Sequence, residues 1–226
     1  MQPVKETEKA HNTLELPKGY DVVLKLDLQK NKKIALLVNG IAALIAVLLV
    51  GLGCFWVPIT TLFQFDDGMK MYFLRFGILL VGIILYTILH ELIHGIFMKQ
   101  FSRTKVTYGF TGLYAYAGSE AYFNKSSYLI IALAPVVVWG LVLLCLNLFL
   151  NYSWFWVVYT IQICNLSGAA GDLYVTYRFS KMPADILVRD TGVAMTVYAP
   201  VHLDKEAVCQ GTDSDKKVLS QNQGHK

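Results

Sequence analysis

The chain has 226 residues, about one domain's worth, of which 55% are hydrophobic and only 16% charged, against roughly 45–50% and about a quarter in soluble domains. That balance points towards a membrane protein. The net charge of +4 does not argue for a nucleic-acid partner, because the basic residues flank apolar runs instead of covering one face.

Residues 1–33 are polar and read as a cytoplasmic N-terminal segment, in which the alternation from Tyr20 to Leu28 predicts a short strand. No cleavable signal is expected, since the first apolar run begins only near Ile34 and no small-residue cleavage site follows it. Residues 34–179 read as a transmembrane helical domain. Four runs within it, about Ile34–Val57, Phe73–Met98, Tyr128–Leu150 and Trp154–Phe179, reach the roughly 20 apolar residues that a bilayer requires. Lys25, Lys30, Lys32 and Lys33 precede the first run; Lys99, Arg103, Lys105 and Lys125 follow the second; Arg178, Lys181 and Arg189 follow the fourth. The other two loops carry little or no excess positive charge. This alternation implies a multi-pass cell-membrane protein with both termini in the cytoplasm. Trp154 and Trp156 then fall at the outer interface.

The loop from Lys99 to Ser127 is rich in Tyr, Gly, Phe and Thr, which suits strands and turns better than a helix. Two readings stand: a β-hairpin at the membrane face that could bind extended peptide by strand addition, or an ordered surface loop. Residues 180–204 read as a small soluble segment. Its Ile186–Val188 and Val193–Tyr198 form two short strands joined at Asp190-Thr191-Gly192. Residues 205–226 have the composition of a disordered tail. The expected fold is an all-α membrane bundle of about four transmembrane helices, with a small β-like loop after the second helix and a short soluble C-terminal segment. Cys54, Cys145, Cys164 and Cys209 show no CxxC spacing and imply neither a disulfide framework nor a cysteine metal site.

The chemistry concentrates in His90-Glu91-Leu92-Ile93-His94 on the second run. A segment inside lipid must be helical to satisfy its backbone, and positions four apart then stack on one face. Two imidazoles so placed can hold one zinc ion, with Glu91 beside them as general base. By composition the motif arises by chance at roughly a few per hundred thousand positions. Burying its charges in an apolar helix costs on the order of a few kcal/mol, which packing alone does not require. The competing reading is a histidine pair hydrogen-bonded across helices.

A catalytic zinc usually takes three protein ligands. Asp172 is the best candidate for the third, because it is the one acidic residue of the fourth run and lies about as far from Arg178 as His94 lies from Lys99. The alternative for Asp172 is a cap or a local pair with Arg178. Of the remaining histidines His11, His202 and His225, His202 is the least unsuitable. Asn165 either contacts a substrate peptide or bonds across helices. Pro135 is expected to kink the third span and open space beside the site. Glu120, Asp185 and Asp190 read as solvated surface charges.

An HExxH inside a membrane helix, followed by an aspartate on a later span after an asparagine and small residues, resembles the site-2 protease superfamily. More narrowly, the chain resembles a family of small bacterial membrane proteins described as zincin peptidases. The resemblance runs through Leu16–Tyr20, His90–Gly95, Tyr122–Pro135, Gly171-Asp172-Leu173 and Asp190-Thr191-Gly192. It implies His90, His94 and Asp172 as Zn2+ ligands and Glu91 as general base. The substrate it implies is a membrane-associated or transmembrane peptide, cleaved near the cytoplasmic leaflet. In this chain Ser167–Ala170 lacks the prolines usual in site-2 proteases, and Leu173 stands where they have glycine. The rival function is a non-catalytic metal-binding membrane protein that regulates a partner.

Overall fold

The structure is a computed structural model that describes residues 10–27, 31–112 and 114–201. Three of its helices are long and apolar enough to cross a membrane: α1 (Lys32–Trp56), α2 (Met69–Ser102) and α3 (Lys125–Phe149). Asn31 starts α1 by accepting hydrogen bonds from the Lys33 and Ile34 amides, as an N-cap should. Asn124 does the same for α3 through the Ser127 amide. At 34 residues and 1.5 Å per residue, α2 is about 50 Å long. It therefore outreaches a hydrocarbon core of roughly 30 Å. It stops at Arg103, which sits in the left-handed region with φ 56°.

The run expected as one fourth span is two helices, α4 (Phe155–Gly168) and α5 (Ala170–Ser180). Ala169 leaves helical geometry with ψ 12°, in the small-residue stretch Gly168-Ala169-Ala170-Gly171. The break puts Asp172 in the first turn of α5, where the unpaired amides of a helix start favour a carboxylate.

Strand content exceeds the small β-like loop that the sequence suggested. β1 (Tyr20–Leu26), β4 (Tyr122–Asn124), β5 (Leu187–Asp190) and β6 (Met195–Pro200) form one antiparallel sheet in the order β1-β6-β5-β4. The predicted strands at 20–28 and 186–198 are thus present with ends shifted by a residue or two where described, and they pair with each other. Asn12 ties this sheet to the helices: it donates to the Phe101 carbonyl and Ser127 hydroxyl and accepts from the Asn124 amide. The Lys99–Ser127 loop does contain a hairpin, β2 (Val106–Phe110) with β3 (Ala115–Ser119). The tail expected at 205–226 lies outside the described residues.

The main core lies where the four-stranded sheet meets the ends of α2, α3 and α5. Phe123, Phe179, Ile186, Val188 and Val197 are fully buried there beside Met98, Tyr128 and Ile131. Further along the helices the apolar side chains face outwards, among them Leu36, Phe73, Ile84 and Phe149. Exposed apolar area on this scale is costly in water and natural in lipid.

Candidate metal centre

Packing of α2 against α3 and α5 against α3 brings the three sequence-chosen ligands together. Each of His90, His94 and Asp172 offers a ligand atom within 4.8 Å of the others. His90 Nε2 is 3.4 Å from Asp172 Oδ2, and His94 Nε2 is 3.7 Å from Asp172 Oδ1. Both histidines are buried. Ligand atoms held about 2.0–2.1 Å from a tetrahedral zinc stand about 3.3 Å from each other, a spacing that small side-chain adjustments of these three residues would reach.

The other ring nitrogens explain why both Nε2 atoms face the cluster. His94 Nδ1 lies 2.9 Å from the Ile131 carbonyl, which can only accept, so the Nδ1 proton is there. Asn165 is fully buried and donates its amide to the Val136 carbonyl, which fixes Oδ1 towards Tyr86. The Tyr86 hydroxyl donates to that oxygen at 3.1 Å and contacts His90 Nδ1 at 2.9 Å. Having spent its one proton on Asn165, the hydroxyl accepts from His90 Nδ1. Both neutral imidazoles thus present lone pairs at Nε2 to a carboxylate. Three acceptors facing one another require a cation between them, either protons on the rings or a metal ion.

Glu91 is half-buried next to the cluster. Its carboxylate lies close to the Ala117 amide on β3 and interacts electrostatically with His94, His90 and Asp172. The hairpin is held against α2 by a close approach: a Cβ on Gly95 would collide with the Tyr108 ring and hydroxyl.

Several sequence readings change. Of the two readings open for Asn165, the structure shows the bond across helices. Asp185 and Asp190 are buried, not solvated. Asp190 accepts from Tyr128 at 2.6 Å and from the Gly192 amide at 2.8 Å, because the turn after β5 folds in against β3, with Thr191 backbone beside Gly118. Burial raises the Asp190 carboxyl above the usual range, against the lowering pull of Tyr128, Gly192 and His94. Glu120 is exposed and pairs with Arg189. Arg178 donates to the Tyr174 hydroxyl. His11 is exposed, and His202 and His225 lie outside the described residues. Tyr86 was not singled out from sequence, although its place four residues before His90 puts it on the same helix face.

Residues 83–187 match the model of the family whose description reads "Putative zincin peptidase". It is the family that the sequence resembles. The matched segment contains His90, Glu91, His94, Asn165 and Asp172. A protein of Pyrococcus woesei, described as "Uncharacterized 24.7 kDa protein in gap 5'region", is 32% identical over 122 residues, or 52% of this chain and 53% of that protein. The chain therefore spans about half the length of the curated relative it matches. No solved structure matches it.

Proposed function

We propose that this chain is an intramembrane zinc metalloprotease that hydrolyses a peptide bond of a membrane-associated substrate near the cytoplasmic leaflet. The observation that carries the reading is the convergence of His90 Nε2, His94 Nε2 and the Asp172 carboxylate, with Glu91 beside them. His90, His94 and Asp172 would hold the ion. Zinc, when bound, supplies a Lewis acid that polarises a carbonyl and acidifies water. Glu91 accepts the water's proton on its carboxylate and returns it to the leaving amine.

β3 reaches this site, with the Ala117 amide close to Glu91. Four crossings follow if α4 and α5, end to end, complete the last one. Both termini and the β1-β6-β5-β4 sheet are then cytoplasmic, as the lysine and arginine bias requires. The membrane domain is residues 34–179, and its partners are the lipid bilayer and a peptide or transmembrane protein.

The test compares wild type with Glu91→Gln reconstituted in vesicles with a membrane-peptide library. The reading predicts fragments with the wild type alone, while both proteins bind zinc. Equal cleavage by Glu91→Gln would overturn it.

A further inference from the structure

A proline in the middle of a helix is normally a cost: it removes one amide donor and leaves the carbonyl four residues earlier without its partner. Pro135 lies inside α3 and is fully buried. The carbonyl four residues before it is that of Ile131. This is the carbonyl that meets His94 Nδ1 at 2.9 Å. The vacated acceptor of α3 is thus the group that fixes the proton of His94, and so the direction of its Nε2.

We infer that Pro135 is a positioning residue for the metal centre, acting by keeping the Ile131 carbonyl free for His94. The inference rests on His94 being a metal ligand, as proposed above. An ordinary residue at 135 would bring an N–H into competition for that carbonyl. The imidazole would then lose its strongest orienting contact and could take the other tautomer, with its proton on the nitrogen that faces Asp172. The kink that proline imposes is secondary in this account. The neighbouring Val136 carbonyl is bonded separately, by Asn165, and serves the His90 branch through Tyr86. The two histidines are therefore oriented from adjacent stretches of α3 by independent routes.

The experiment measures Zn2+ affinity by chelator competition in detergent for wild type, Pro135→Ala and Pro135→Gly, together with thermal unfolding of each in metal-free form. Both replacements restore the N–H; only alanine also favours the helix. Each should bind zinc about 10–100-fold more weakly, the range for lost support of a ligand histidine. Metal-free Pro135→Ala should unfold no earlier than wild type. Opposite directions for affinity and metal-free stability are what a simple packing role cannot produce. Wild-type affinity in folded Pro135→Ala, or a parallel loss of affinity and metal-free stability, would overturn the inference and leave the metal reading intact. A folded wild type that takes no zinc would overturn both.

Discussion

Tyr86 and His90 lie one helical turn apart on α2, and the Tyr86 hydroxyl meets His90 Nδ1 at 2.9 Å while donating to Asn165. The contact reaches the candidate metal centre from behind, through a ring that is itself buried. Tyr86→Phe deletes the acceptor with little change in volume. Zinc affinity should fall by about 10–100-fold while the metal-free protein keeps its helical circular dichroism. Unchanged affinity would remove Tyr86 and Asn165 from the account of the site.

Asp172 is the weaker of the ligand assignments by sequence and the most informative to test. Asp172→Asn keeps the shape and removes the charge that offsets the cation. Zinc titration should show near-complete loss of tight binding, with the protein still folded. Should Asp172→Asn bind as well as wild type, the third ligand would lie elsewhere.

Gly95 admits Tyr108 against α2, and this close approach seats the hairpin that carries Ala117. Gly95→Leu should push the hairpin away without touching the ligands. Zinc affinity should stay within about twofold, and peptide hydrolysis should drop by about 10²-fold, the scale of a 1 Å misplacement. Loss of zinc in this variant would show that the hairpin supports the ligands themselves.

Asp190 gives the fold a pH dependence. Its folded-state carboxyl is raised by burial, so the folded protein binds the proton more tightly than the unfolded chain does. The corresponding stability is fully present below the unfolded-state value near ~3.9 and is lost as pH rises through the higher folded-state value. Asp190→Asn can still accept from Tyr128 or Gly192 and does not titrate. Thermal unfolding from pH 4 to 7 should show wild type losing stability relative to Asp190→Asn as pH increases. A parallel pair of curves would contradict the assignment.

How much of this was legible beforehand depends on distance along the chain. The His90–His94 pair follows from helical spacing alone, and Asp172 follows from matching depths on two apolar runs. Asn165 could be noticed but not assigned, since its partners Tyr86 and the Val136 carbonyl come from two other helices. The Ile131 carbonyl has no side-chain signature; Pro135, four residues on, was its only mark. Strand pairing between Tyr20–Leu26 and Met195–Pro200 joins opposite ends of the described chain, and no local pattern encodes a register of that kind. The burial of Asp185 and Asp190 is a consequence of that sheet and was hidden with it. The helix break before α5 was written in Gly168–Gly171, but small residues in an apolar run read equally well as a packing face.

The central claim is that His90, His94 and Asp172 hold zinc. Elemental analysis of the purified full-length protein, compared with a His90→Ala/His94→Ala variant, tests it most directly. The account predicts about one zinc per wild-type chain and loss of that zinc in a variant that remains folded. A folded wild type that carries no metal, even after zinc is resupplied, would contradict it.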